Sequence, residues 1–217
     1  MLVKELEDLY RNQFEDTVSV KYFLSLKLFL DYLNEAEEEA AFRKNLLFDK
    51  TSSFCTIAVT SGVSTYLLND CIYAIVYASI VDANGIISVL TPTDRIEEDR
   101  IRPDWRTLTQ RPDSFIQHDT SLEILPIPDA AYTLRLECYR LPLDKITSEP
   151  EIHRNHHRSL VDWVLYRAYS TPDADMQDAN KAGYYLSKFT SVFGLRPSAD
   201  NRRKHYANRP HRNKVCT

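Results

Sequence analysis

Along residues 3–47 apolar side chains return every three or four positions, with no proline or glycine to interrupt them, which is the spacing of helix faces. Val3 to Gln13 reads as a short helix with Leu6, Leu9 and Tyr10 on one side. A second, longer helix runs from a cap at Thr17 or Ser19 to about Leu47. Its predicted stripe is Phe23, Leu26, Leu30, Leu33, Ala36 and Ala40, and Glu39 with Arg43 forms an i,i+4 pair on the polar side. The run Glu37-Glu38-Glu39 reads as a solvated face of that helix.

The pattern then changes to β-branched and aromatic runs. Strands are expected at Phe54–Val59, Thr65–Leu68, Ile72–Val81, Ile86–Leu90, Ser114–Gln117, Leu122–Leu125 and Tyr132–Tyr139. Ala83-Asn84-Gly85 marks a hairpin turn, and Asp94–Arg100 a helical turn before Trp105. In the last strand Tyr132, Leu134, Leu136 and Cys138 alternate with Thr133, Arg135 and Glu137, as in a sheet with one wet face. Helix returns at Arg154–Tyr169, with Leu160, Trp163, Val164 and Ala168 on one stripe. It returns again at about Asp178–Phe193, with Gly194 placed to end it. The expected fold is therefore α+β: an antiparallel helical bundle body of about four helices, an inserted antiparallel β-sheet and an extended C-terminal tail. The corresponding division is residues 1–50, 51–148, 149–194 and 195–217.

Composition narrows the chemistry. Only four of 217 residues are glycine, at 62, 85, 183 and 194, and no two are close enough to share a loop. This excludes GxGxxG, the Walker A loop and the GxSxG elbow, each of which needs glycines at short fixed offsets. Cys55, Cys71, Cys138 and Cys216 form no CxxC pair and read as reduced thiols of a cytosolic protein. The charged start of the chain and the lack of a long apolar run argue against secretion or membrane insertion. Net charge is −4, but it is divided unevenly. The first 193 residues carry 20 basic and 30 acidic side chains, while the last 24 carry seven basic and one acidic. An acidic body with a basic tail is the strongest compositional signal.

Three sets of residues have chemical potential. His153 and His157 stand four apart beside Glu149, Glu151 and His156, as a zinc pair would, yet HExxH is absent and a helix N-terminus accounts for the cluster. Glu97, Glu98 and Asp99, or Asp173 and Asp175, supply carboxylates without an organised hydrolytic set around them. The basic tail offers Arg196, Arg202, Arg203, Lys204, Tyr206, Arg209, Arg212 and Lys214. It has three readings: a nucleic-acid arm acting by counterion release, a strap that orders on an acidic partner, or a solubilising tail.

The order of motifs resembles the head-to-tail adaptor (connector) family of tailed bacteriophages. The resemblance is carried by Tyr32-Leu33-Asn34-Glu35-Ala36, by Gly62 with Thr65-Tyr66-Leu67-Leu68, by Pro103-Asp104-Trp105-Arg106, and by Arg111-Pro112. It continues through residues 121–129, Leu134-Arg135-Leu136, Tyr139-Arg140-Leu141-Pro142-Leu143 and Pro150-Glu151-Ile152. His156-His157, Leu160-Val161-Asp162-Trp163, Leu165-Tyr166-Arg167-Ala168-Tyr169 and Phe193-Gly194 complete the series, which spans roughly residues 18–194. The resemblance implies a structural virion protein with no catalysis and no cofactor. It implies a ring, usually of twelve copies, between the portal protein and the tail or nozzle proteins, with DNA passing through it and no sequence-specific contact. It places the protein at the head-to-tail interface of the virion and, during assembly, in the host cytoplasm. The eight tail residues from Arg196 to Lys214 become the expected portal-docking strap. A nucleic-acid-binding protein acting through the same arm is the alternative function.

Overall fold

A computed structural model describes residues 1–15, 23–172 and 177–197. The chain forms two units, a helical one from Met1–Leu47 with Arg140–Arg196, and a sheet unit built on Phe48–Tyr139.

In the helical unit, α1 (Val3–Phe14) starts with the Glu5 carboxylate accepting from the Leu2 N–H at 2.8 Å. The next helix, α2 (Leu26–Lys44), is capped by Ser25, whose hydroxyl accepts from Leu28 N at 3.2 Å. The predicted caps Thr17 and Ser19 lie outside the described residues. Because α2 begins at Leu26, its buried stripe is Phe29, Leu33, Ala36 and Ala40, whereas the predicted stripe members Phe23 and Leu26 are exposed. The sheet unit holds α3 (Arg95–Ile101). A 3₁₀ turn at Arg154–His156 leads into α4 (His157–Ser170), and Asp178 caps α5 (Ala179–Phe193) by accepting from Asn180 N and Lys181 N. Leu160, Val164 and Ala168 of α4 meet Phe189 and Phe193 of α5 in one core, with the Trp163 and Phe189 rings 4.8 Å apart. Gly194, at φ 85°, ends α5 as expected, its N–H donating to the Thr190 carbonyl.

The sheet unit contains β1 (Phe48–Asp49), β2 (Thr56–Val59), β3 (Thr65–Leu67), β4 (Ile72–Val81) and β5 (Ile87–Pro92). There follow a helix α3 (Arg95–Ile101), β6 (Thr109–Gln110), β7 (Ser114–Gln117), β8 (Ser121–Leu125), β9 (Ile127–Pro128) and β10 (Tyr132–Arg140). Eight of these strands form one sheet in the order β1-β10-β4-β5-β7-β8-β3, with β2 also paired to β10. The β4–β5 hairpin turns at Gly85 (φ 81°), where the Asp82 carboxylate accepts from the N–H groups of Asn84 and Ile86. Alternation in β10 buries Tyr132, Leu134, Leu136 and Cys138 in a core shared with Ile80, Leu90, Leu122 and Ile124.

This architecture corrects the expected fold class. The sheet is not a subordinate insert in a four-helix body: it has eight strands, its own core and a helix, α3, making five helices in the described residues. Nor is it purely antiparallel. β5 and β7 pair parallel, Thr91 opposite Ser114, as do β6 and β9 in a separate two-stranded ribbon. A parallel pair needs a crossover of a dozen or more residues, and the segment carrying α3 supplies it. That segment packs Trp105 against Ile116 and Leu125, so β7 and β8 are covered on both faces.

Candidate partner-binding surfaces

The best-organised polar site of the helical unit is the segment 141–152, which α2 holds through two side chains. Asn34 Oδ1 accepts from Ile146 N at 2.7 Å, while its Nδ2 donates to the Leu30 carbonyl. Glu37 accepts from Ile152 N at 3.0 Å and is only 1% exposed. Burial pushes the Glu37 carboxyl above the usual carboxylate range, opposed by the Ile152 and Glu151 backbone N–H groups. Arg140 clamps the other side: its Nη2 is 2.5 Å from Glu151 Oε1, and Glu151 Oε2 accepts from Leu143 N at 3.1 Å. Between α2 and this segment lies a groove of about 380 Å³ bordered by Glu37, Leu143, Asp144, Ile146, Glu149 and Pro150. Glu37 is a correction to the expected solvated Glu37-Glu38-Glu39 face. Standing four residues after Leu33, it falls on the buried stripe, and that position is its one sequence signal.

Of the expected strap, only Arg196 lies among the described residues. Its guanidinium is 3.0 Å from Glu39 Oε1 and 5.7 Å from the Phe42 ring centroid. Glu39 also takes the predicted pair with Arg43, at 2.8 Å. Arg202, Arg203, Lys204, Tyr206, Arg209, Arg212 and Lys214 lie outside the described residues.

The histidines have separate tasks. His153 Nδ1 accepts from Asn155 N, His156 packs on Phe193 at 5.5 Å, and His157 is buried with Nε2 2.7 Å from the Ile152 carbonyl. Burial, assisted by Lys44, holds the His156 imidazole below its ordinary value. No group of three or more His, Cys, Asp or Glu residues able to hold a metal occurs among the described residues. The carboxylates of α3 are likewise distributed among structural partners. Glu97 pairs with Arg100, the buried Glu98 meets Arg102 and Ser114, and Asp99 meets Arg106 and the Trp105 indole. The Arg106 contact, aided by Trp105, holds the Asp99 carboxyl low. Asp173 and Asp175 lie outside the described residues.

The family model described as SU10 adaptor protein matches residues 1–214. The chain belongs to that family of phage head-to-tail adaptors. No curated protein matches it. Membership makes the chain a structural adaptor and a virion component of a bacteriophage. No helix among the described residues is long and apolar enough to cross a membrane.

Proposed function

We propose that the protein joins the portal to the tail as a ring of copies, non-catalytic and without a cofactor, through which the packaged DNA passes. The family match along nearly the whole chain carries this reading. The acidic body supports it, because the 30 acids against 20 basic residues of positions 1–193 give a surface that repels phosphate. On this reading Arg196, Arg202, Arg203, Lys204, Tyr206, Arg209, Arg212 and Lys214 dock on the portal. Many such straps on one ring act multivalently, each binding event raising the effective concentration for the next.

The test is truncation after Pro197, which keeps the Arg196–Glu39 contact. The truncated protein is expected to retain the melting curve of the full chain and to lose attachment to portal-bearing heads. Normal attachment would remove the strap assignment. Steep salt-dependent binding of the full chain to duplex DNA, with unchanged attachment of the truncated chain, would instead favour the nucleic-acid arm.

A further inference from the structure

Helix α2 holds two chemically opposite surfaces of the helical unit on its two flanks. Asn34, which fixes the 141–152 segment, and Arg43, which donates to Thr190 Oγ1 at 3.4 Å and the Gly194 carbonyl at 3.2 Å, are nine residues apart. At 3.6 residues per turn they point about 180° apart. The groove therefore lies on one flank and α5 on the other.

The two surfaces complement each other. On α5, Tyr184 is 60% exposed. Lys181 and Lys188, three residues before and four after, share its face. Lys188 Nζ lies 5.6 Å from the Tyr184 ring centroid, and Lys181 Nζ lies 5.1 Å from that of Tyr169. Lys188 pairs with Asp162 of α4 at 3.0 Å, so that face carries one acid from the neighbouring helix. Residues 179–193 contain no acid. The groove has the reverse chemistry: Ile146 and Pro150 are buried in its floor, and the exposed Asp144 and Glu149 line its rim beside Leu143, which is 47% exposed. Lys145 is the one basic residue on that border, so acids still predominate there. The groove's backbone is already fixed by Asn34, Glu37 and Arg140, so ordering it on binding costs little.

We infer that the groove receives α5 of a second copy of this chain, with Tyr184 as the aromatic anchor against the exposed Leu143 and Lys181 and Lys188 opposite the acidic rim. Buried aromatics ringed by polar contacts are what dominate protein interfaces. Because donor and acceptor are different surfaces of one molecule, the contact is head-to-tail, and it generates a ring when the repeated rotation closes. The inference rests on the ring reading above and assigns the surfaces that build the ring.

The experiment uses the full chain in two charge-reversed forms, Asp144→Lys/Glu149→Lys and Lys181→Glu/Lys188→Glu. Self-association is followed by sedimentation velocity, alone and on portal-bearing heads, with thermal melts confirming that each form is folded. Each is expected to self-associate about tenfold or more weakly than the parent. An equimolar mixture should recover assembly, since in alternation the reversed rim meets the reversed helix and the native rim meets the native helix, both pairs being of opposite charge. Tyr184→Ala, which leaves all charges in place, is expected to weaken assembly too. Parent-like assembly of both reversed forms, or of Tyr184→Ala, would overturn the assignment of these surfaces. A parent protein that stays monomeric even on portal-bearing heads would overturn the ring reading itself.

Discussion

Glu37 is the residue at which burial and hydrogen bonding oppose each other most directly. Its carboxylate is lifted by burial and held down by the Ile152 N–H, with burial the larger effect. The folded-state value therefore lies above the unfolded one, near 4.5, so the folded state binds the proton more tightly. Stability from this group is full below the unfolded value and is lost as pH rises through the folded value. Glu37→Gln keeps an acceptor for Ile152 N and removes the titration. Denaturant melts across pH should show a shallower decline above about pH 4.5 in this variant than in the parent. An unchanged slope would mean that another group sets the dependence.

At the scale of the element, Gly183 lies in the second turn of α5 without a conformational reason. A Cβ there meets nothing within 4 Å, and its φ is not in the left-handed region. Gly183→Ala should stabilise the protein by about 1 kcal/mol, visible as a raised denaturation midpoint at unchanged slope. A lowered midpoint would show that the open space is needed. The helices are mostly legible in the sequence because caps and periodicity are local. The bounds of β4 and β7 match those expected from their β-branched runs, while β1, β6 and β9 escape notice because two residues are too few to show a period. The phase of α2 misleads for a related reason. Leu26 and Phe23 are apolar and correctly spaced, but the helix begins only at Leu26, and Phe29 occupies the core instead.

Across the full chain, charge asymmetry is the property with a measurable consequence. If the seven basic residues that follow Gly194, from Arg196 to Lys214, dock on an acidic partner, attachment to portal-bearing heads should weaken as salt screens them. Replacing Arg202, Arg203 and Lys204 by alanine should flatten that salt dependence, read as the slope of attachment against ionic strength. A slope unaffected by the replacement would assign docking to the acidic body or to its apolar patches.

The order of residues was enough to show the local elements, the absence of glycine-rich phosphate loops, the division into an acidic body and a basic tail, and the family resemblance. The strand order, the parallel β5–β7 pair, and the groove that joins residues 34–38 to 142–151 emerge only once the chain is folded. The partner of the buried Glu37, the Ile152 N–H, is likewise visible only in the fold. The reason is physical. Turns, caps and amphipathic periods are written in neighbouring residues, whereas backbone pairing and burial depend on segments as far as a hundred residues away, whose approach leaves no mark on the local pattern.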